Sequence, residues 1–343
     1  MQPFDYTSPL SIDEAIRLLG QNERAYDRGL RPLLGIQPFA GGTDLLPLMK
    51  ADIASPSQLI DIKRLPELPT GIEETSQGVT LGALTTLAEI ETHPVIKRHY
   101  PVLAQAAAVA ASPQLRNLAT LGGNLLQRPR CWYFRSHLLH CWLKGGTICP
   151  ARDGQNQFHA LFGSGPCYAV HPSDLAPALL VLNAQVRLRG RDGIRLIPLA
   201  EFFSLPREQR RSETTIGHDE LLLSVLLPLL PAGTRTLYRK VMDRKVWAFA
   251  LVAVAAAIRL EDRRVAEARL VLGGVAPIPW QASAAEHALL GGEVSAELVA
   301  RTAEMALSGA AALQYNTYKV PLAKALIRQA LTTLIVDEAA SIC

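Results

Sequence analysis

Two short glycine turns with matching chemistry constrain the fold of this chain most. The first lies in FAGGTDLL, at Gly41 and Gly42, and the second lies in ATLGGNLL, at Gly122 and Gly123, about eighty residues further on. Paired glycines reach positive φ and let backbone N–H groups approach a phosphate with no Cβ in the way. Each pair follows a hydrophobic segment. A pyrophosphate held between the two turns would explain both of them.

Neither turn fits a standard nucleotide-binding motif. Both lack the G-x-G-x-x-G pattern, and no Lys-Ser or Lys-Thr follows either glycine pair, which argues against a Rossmann or P-loop fold. The hydroxyl groups of Thr43 and Thr120 and the side chain of Asn124 give the turns polar tips. Taken singly, each pair is also consistent with an ordinary tight turn.

Four of the five cysteines follow the second glycine turn, at Cys131, Cys141, Cys149 and Cys167. In an intracellular chain such clustering indicates a metal more than disulfides. The spacing contains no short Cys-x₂₋₄-Cys hairpin of the zinc type, whereas an iron–sulfur cluster tolerates irregular spacing. The alternative is four unconnected buried thiols. Cys343, the last residue, is interpreted as incidental.

The sequence around the cysteines favours the cluster. Glycines in LKGGTIC and FGSGPC let backbone amides approach sulfur, and Arg128, Arg130 and Arg135 supply positive charge that would keep thiolates ionised. A solvated or partner-facing basic patch is the other interpretation of these arginines. After the last cysteine, His171-Pro172-Ser173-Asp174 predicts a helix start capped by the Ser or the Asp. The Asp carboxylate could equally hold a ribityl or ribose hydroxyl.

Composition excludes several classes of function. A net charge of +4 over 343 residues does not indicate a nucleic-acid partner. The longest apolar run, WAFALVAVAAAI, has twelve residues and is too short to span a bilayer. The N-terminal sequence predicts no secretion signal of its own. Since no nucleophile elbow, Ser-His-Asp order or HExxH motif is present, the chain is expected to carry electrons.

The pattern of elements predicts an α+β protein. Ser11 and Glu14 indicate a capping box at a first helix, Pro94 and Pro101 punctuate a helical region, and Asp192-Gly193 predicts a hairpin turn. Beyond the proline- and glycine-rich boundary near residue 230, strands are followed by two helices, at about 294–313 and 320–336. We predict three units, 1–55, 56–230 with the four-cysteine insertion at about 125–170, and 231–343.

The chain resembles, from end to end, the FAD-binding medium subunit of the molybdenum hydroxylases, which include xanthine dehydrogenase, carbon monoxide dehydrogenase and aldehyde oxidoreductases. The resemblance rests on FAGGTDLL, LIDI, GALTTLAEIETHPVI, QLRNLATLGGNLL, HPSDLAPALLVLNA, ELLLSVLLP, YRKVMDR, AFALVAVA and LVLGGVAP. It implies an FAD-binding domain of the PCMH/vanillyl-alcohol oxidase type in two subdomains. A C-terminal α+β domain like that of the CO dehydrogenase flavoprotein follows.

The resemblance also assigns residues to the cofactor. The family's first FAD loop falls on Ile36, Gln37, Pro38, Phe39, Ala40, Gly41, Gly42, Thr43 and Asp44, and its second falls on Thr120, Gly122, Gly123 and Asn124. Further FAD contacts fall on Asp174, Leu223 and Lys240. Asp44 stands where relatives carry His, Asn or Ser.

The cysteine insertion is similar to that of the FAD subunit of bacterial periplasmic aldehyde oxidoreductase, which holds a [4Fe-4S] cluster after a like RCxYF sequence. Here it reads Arg130-Cys131-Trp132-Tyr133-Phe134. The resemblance implies that Cys131, Cys141, Cys149 and Cys167 are the cluster ligands. Hydroxybenzoyl-CoA reductase also carries a four-cysteine insertion in its medium subunit, with less similar spacing.

The function implied is that of one subunit in a three-subunit enzyme. A large subunit with molybdenum cofactor would oxidise an aldehyde or N-heterocycle, a small subunit with two [2Fe-2S] clusters would relay electrons, and FAD on this chain would pass them to an external acceptor. The alternatives are the medium subunit of a xanthine-dehydrogenase-like enzyme, that of a hydroxybenzoyl-CoA-reductase-like enzyme working in the opposite direction, and a structural zinc protein with no redox role. We expect the chain to reach the periplasm with a partner that bears a twin-arginine leader, or to stay in the cytoplasm.

Overall fold

The computed structural model describes residues 1–22, 34–163, 165–244 and 248–336, and this part contains three β-sheets with helices packed on them. Cys343 lies outside the described residues. Within them, no helix is both long enough and apolar enough to cross a membrane.

The first sheet is parallel and carries the first glycine turn. Its strands are β1 (Asp5–Thr7), β2 (Leu34–Phe39) and β3 (Ser55–Asp61), with β3 in the middle. Helix α1 (Ile12–Leu19) follows β1, and α2 (Leu45–Lys50) follows the turn after β2. The predicted boundary at 55/56 coincides with the start of the central strand, so this layer continues to residue 61.

Helix α1 begins as the sequence predicts, with one difference in its cap. Ser11 Oγ accepts a hydrogen bond from the amide of Glu14 at 3.1 Å. The Glu14 carboxylate accepts from the amide of Leu10 at 2.9 Å, one residue before the cap. The two residues therefore still secure the start of the helix.

The second sheet is antiparallel, and its strands come from residues 72–228. Its strands are β4 (Ile72–Thr75), β5 (Gly78–Gly82), β6 (Gln185–Gly190), β7 (Gly193–Pro198) and β8 (Leu221–Pro228), in the order β4-β5-β8-β6-β7. Its helices are α3 (Leu87–Thr92), α4 (Pro94–His99), α5 (Pro101–Ala108), α6 (Pro113–Arg116), α7 (Leu121–Leu126), α8 (Leu175–Val181) and α9 (Leu199–Phe202). Pro94 and Pro101 open their helices because the first turn leaves their missing N–H unneeded.

The third sheet forms the C-terminal unit. Its strands are β9 (Arg235–Val241), β10 (Val252–Glu261), β11 (Arg264–Gly273) and β12 (Trp280–Gln281), antiparallel in the order β12-β11-β10-β9. The helices are α10 (Ser283–Leu289), α11 (Ala296–Ala306) and α12 (Lys319–Leu331). Strands followed by helices confirm the α+β prediction. The sequence predicted two helices here and missed α10, a seven-residue helix.

The cysteine insertion lies between α7 and α8 and has its own apolar core. Phe134, Trp142 and Leu143 are buried there beside Leu48 and Met49 of α2. Its regular structure in the described residues is one 3₁₀ turn, Trp142–Lys144. Because the insertion has little regular secondary structure, side-chain contacts hold it in place.

Two such contacts tie the insertion to distant parts of the chain. Trp142 Nε1 donates to Glu208 Oε1 at 2.7 Å, and the Arg211 guanidinium lies 4.6 Å from the centre of the Trp142 ring. Lys319 Nζ, fully buried at the start of α12, donates to the carbonyls of Phe158 (3.1 Å), His159 (3.1 Å) and Gly274 (2.7 Å). Burial lowers the pKa of Lys319 to about 7.

Candidate functional site: a glycine-lined cleft beside a thiol cluster

The two glycine turns line one cleft. Its empty volume is about 1300 Å³, including the part open to solvent. The lining contains the first turn and its flanks, residues 37–45, and three residues of the second, Thr120, Gly122 and Gly123. Leucine side chains from α2, α7 and β8 form the apolar walls. The structure therefore brings together the two turns that the sequence paired.

The close contact between the turns depends on Gly41. A Cβ placed on Gly41 would lie 1.9 Å from the carbonyl oxygen of Leu118, two residues before Thr120. Gly42 has a φ of +69°, which favours glycine, and a Cβ there would meet the Phe39 ring at 2.8 Å. Only residues without a side chain fit this junction.

The two turns offer different chemistry to a ligand. In the second turn, the amides of Leu121, Gly122 and Gly123 already donate to Thr85 O (2.8 Å), Ala83 O (2.9 Å) and Thr120 Oγ1 (3.2 Å). Among the described residues, the amides of Gly41, Gly42 and Thr43 have no acceptor within the chain. The first turn thus has free donors for an anion, and the second provides space.

A buried ion pair stands in the wall of the same cleft. Arg128 Nη1 and Glu213 Oε2 are 2.6 Å apart, with both side chains about 5% exposed. Burial raises the pKa of Glu213, and the Arg128 charge opposes that rise. In the described chain, Nε and Nη2 of Arg128 and Oε1 of Glu213 have no hydrogen-bond partner. These orphaned atoms fit a polar ligand. No local pattern in the sequence pairs two residues that are 85 positions apart.

The three arginines near the cysteines are all paired with carboxylates. Arg128 pairs with Glu213, and Arg130 and Arg135 pair with Asp44 at 2.9 and 2.6 Å. Their role in keeping thiolates ionised stays a prediction. The Asp44 carboxylate thus contacts the insertion, and the residue also lines the cleft. Its side chain makes no cap hydrogen bond to α2.

Five residues assigned to the flavin do not line the cleft in the described structure: Ile36, Asn124, Asp174, Leu223 and Lys240. Asn124 Oδ1 instead accepts from Ser173 Oγ at 2.5 Å. Ile36 and Leu223 are buried in the core under the first sheet. Their flavin contacts stay a prediction from the resemblance.

Asp174 and Lys240 are paired with each other. Asp174 Oδ2 is 2.8 Å from Lys240 Nζ, and Oδ1 accepts from the Tyr238 hydroxyl at 2.7 Å. Burial raises the pKa of Asp174, opposed by the Lys240 charge. The pair and Tyr238 join the end of the insertion to the C-terminal sheet. Ser173 Oγ, not Asp174, caps α8 by accepting from Ala176 at 3.0 Å.

His171 is a cleft residue that the sequence interpretation treated only as part of a helix start. It is buried and lines the cleft. Burial lowers its pKa to about 3, although a hydrogen bond to Leu125 opposes the shift. Its Nδ1 accepts from the amide of Ser173 at 3.3 Å. A neutral imidazole thus bridges the two ends of the insertion.

The four clustered cysteines are free thiols in one apolar cluster. Cys149 lies close enough to interact electrostatically with each of Cys131, Cys141 and Cys167. Backbone amides face three of the sulfurs: those of Tyr133 and Phe134 at Cys131, of Leu143 and Lys144 at Cys141, and of Ala169 at Cys167. His159 Nε2 is 3.2 Å from Cys131 Sγ.

Burial favours the protonated form of three of these thiols, Cys131, Cys141 and Cys167, in the protein alone. It raises the pKa of Cys131 to about 12 and raises those of Cys141 and Cys167 as well. Across the described ranges, no three His, Cys, Asp or Glu side chains gather as they would around a single metal ion. Leu48 of α2 belongs both to this cluster and to the cleft wall, so one helix separates the thiols from the cleft.

Fold and cleft define a class of flavoprotein. Residues 2–230 match the family model for the FAD binding domain in molybdopterin dehydrogenase, and residues 237–334 match the model for the CO dehydrogenase flavoprotein C-terminal domain. The chain belongs to the family of FAD-binding medium subunits of the molybdenum hydroxylases. It is an oxidoreductase subunit, as its relatives are.

The relatives agree along nearly the whole chain. The aldehyde oxidoreductase FAD-binding subunit PaoB of Escherichia coli strain K12 is 40% identical over 84% of this chain and 88% of its own length. The carbon monoxide dehydrogenase medium chain of Hydrogenophaga pseudoflava is 29% identical over 89% and 86%. A solved structure of that organism's carbon monoxide dehydrogenase, lacking the Mo-pyranopterin moiety, superposes with a TM-score of 0.73 over 97% of this chain and 98% of its own, at 29% identity.

Proposed function

We propose that this chain is the FAD and [4Fe-4S] subunit of a molybdenum-cofactor aldehyde oxidoreductase. Bound FAD would accept electrons from partner [2Fe-2S] clusters and release them to an external acceptor. The aldehyde assignment is supported by the 40% identity to an aldehyde oxidoreductase FAD-binding subunit. The observation that carries the proposal is the placement of four free thiols behind α2, one helix away from a glycine-lined cleft.

The residues of the cleft fit a dinucleotide. The free amides of Gly41, Gly42 and Thr43 suit the pyrophosphate, and the leucine walls suit a flat aromatic ring. Orphaned atoms of Arg128 and Glu213 offer a donor and an acceptor to polar edges. No cysteine or histidine lies in either glycine turn, so FAD would be held without a covalent bond.

The number and kind of the thiols support an iron–sulfur cluster. Four cysteine thiolates are the ligand set of a [4Fe-4S] cluster, and the four thiols lie in or against one apolar cluster. Backbone N–H groups directed at three of the sulfurs are the second-shell donors that such clusters use. Cluster assembly would release the protons that burial keeps on Cys131, Cys141 and Cys167.

Iron and sulfide analysis tests the cluster. In the purified chain, Cys131→Ser, Cys141→Ser, Cys149→Ser and Cys167→Ser should each remove about four irons and four sulfides together. Cys343→Ser is the matched control and should leave both counts unchanged. Iron that falls only in the Cys343 variant would refute the ligand set. Bound zinc with no visible absorption beyond that of flavin would establish the structural zinc alternative.

The partners in this proposal are a large molybdenum-cofactor subunit and a small [2Fe-2S] subunit. Co-purification with the products of neighbouring reading frames tests the assembly, and oxidation of aldehydes or N-heterocycles by the complex identifies its substrate class. A complex that only reduces an acyl-CoA substrate would instead support the hydroxybenzoyl-CoA reductase alternative.

We further propose that the chain reaches the periplasm with a partner that bears a twin-arginine leader. Cell fractionation after expression with and without the partner subunits is the test. Periplasmic appearance of the chain expressed alone would contradict transport with a partner. Retention in the cytoplasm even with all partners present would place the whole enzyme there.

A further inference from the structure

Asp44 joins the first glycine turn to the beginning of the cysteine insertion. Its Oδ2 accepts from the backbone amide of Arg128 at 2.8 Å, and its Oδ1 accepts from Arg135 Nη2 at 2.6 Å and lies 2.9 Å from Arg130 Nη2. The Asp44 side chain is 16% exposed. Both carboxylate oxygens are therefore committed to one eight-residue segment, 128–135.

That segment is the turn that carries the first cluster cysteine. The amide of Arg135 donates to Cys131 O at 2.9 Å, while Arg135 Nε and Nη2 donate to Pro129 O (2.9 Å) and Arg128 O (3.1 Å). The Arg135 guanidinium thus links the Asp44 carboxylate to the backbone just before Cys131, and the Arg135 amide closes the turn on Cys131 itself. Displacement of this turn would pull on Asp44 directly.

The other end of the connection is the cleft. Asp44 is two residues beyond Gly42 and itself lines the cleft, and Gly42 O accepts from the amide of Leu46 at 3.0 Å. The hydrogen bonds that Asp44 accepts are charge-assisted, the stronger kind. Since its arginine partners are mostly buried, at 26% and 18% exposure, solvent screens these contacts weakly.

We propose that Asp44 is a positioning residue that couples FAD retention to the integrity of the cysteine turn. This inference rests on the proposed function, because it requires both cofactors on one chain. With Cys131 ligated, the 128–135 turn is fixed and Asp44 holds the glycine turn in its binding geometry. Coupling between two sites is reciprocal, so an occupied cleft also steadies the turn.

A double-mutant cycle tests the coupling. The FAD Kd is measured by flavin fluorescence on the full chain as wild type, Cys131→Ser, Asp44→Asn and the double variant, with iron and sulfide counted in each. Cys131→Ser should raise the wild-type Kd on the order of tenfold, in the usual range for coupled sites. In the Asp44→Asn background the same change should raise it less than about twofold.

Two further variants keep the test decisive. Glu91→Gln removes a carboxylate that pairs with Arg116 at 2.7 Å, with comparable exposure and no part in the cleft lining. It is the matched control, and it should leave the tenfold effect of Cys131→Ser intact. If Asp44→Asn does not fold, Arg135→Gln breaks the same contact from the other side and should also abolish the coupling.

The outcomes separate this inference from the proposed function. An equal effect of Cys131→Ser with and without Asp44, or no effect on Kd despite lost iron, would overturn the coupling while leaving the cluster established. A wild-type chain that contains no iron would overturn the proposed cluster, and the iron count alone would reveal it.

Discussion

Substitution of Gly41 by alanine is the sharpest test of how the cleft is built. The added Cβ would lie 1.9 Å from Leu118 O, where ordinary contacts begin at 3.4 Å, so the two turns must separate by the difference of about 1.5 Å. Neither atom can swing away, because Leu118 O belongs to the backbone and the position of a Cβ is fixed by the backbone that carries it. Overpacking of this kind costs about 1–3 kcal/mol. For a protein of 343 residues, that corresponds to a fall in Tm of roughly 1–4 °C.

The separation should also empty the cleft. A loss of about 1.4 kcal/mol in binding free energy raises a Kd tenfold, so Gly41→Ala should bind FAD at least about tenfold more weakly. Scanning calorimetry and flavin titration measure the two effects. Gly123→Ala is the matched comparison, since its Cβ would meet only Thr120 Oγ1, at 3.0 Å, and it should lower Tm by less. A Gly41→Ala protein with wild-type Tm and FAD content would refute the close contact of the turns.

Three other perturbations have expected outcomes. Lys240→Met leaves Asp174 buried without its counter-ion and should lower the free energy of unfolding by about 3–5 kcal/mol. Adding Asp174→Asn should recover part of this loss. An identical loss in the single and the double variant would contradict the ion pair. Lys319→Met strips three carbonyls of their donor and should cost about 1–3 kcal/mol or more by urea denaturation; an unchanged midpoint would refute its role. His171 stays neutral when folded because its pKa is lowered to about 3 from 6.5, so the unfolded chain gains a proton first as pH falls. Stability should therefore be about 1.4 kcal/mol lower at pH 5.5 than at pH 7.5 from this group, and His171→Gln should remove that part of the slope; a pH profile that the variant leaves unaltered would count against it.

Local features were predictable from the sequence because they depend on neighbouring residues. Gly42 adopts a positive φ that depends only on the residue itself. The Ser11 side chain accepts from the amide three residues further on, and Pro94 begins a helix. The predicted hairpin is present, but its turn lies one residue earlier than the predicted Asp192-Gly193. Gly190 pairs with Gly193, so the loop is Arg191-Asp192 and Gly193 follows it with a φ of +117°.

Contacts between distant residues could not be predicted in the same way. Asp44 meets Arg135 across 91 positions, and Arg128 meets Glu213 across 85. No periodicity links such residues, and any of several carboxylates could have served each arginine. The sequence therefore located the cleft and the thiols, while the charged groups between them emerged only from the packing of the first sheet against the insertion.

Hydrogen bonds fix both ends of the cysteine insertion, and ligation inside it would reduce the entropy of the unfolded chain. Ser173 is hydrogen-bonded to Asn124, and His171 is hydrogen-bonded to Leu125. The residues between them therefore form a closed loop whose two ends are fixed in the native fold. Binding of one cluster by the four cysteines between residues 131 and 167 would divide that loop into three smaller loops. In the polymer description, cross-links over rings of this size remove about 3 kcal/mol of unfolded-state entropy each. Loss of iron would therefore lower the free energy of unfolding by enlarging the conformational freedom of the unfolded insertion, while the apolar contacts of Phe134, Trp142 and Leu143 would still hold it in the native fold.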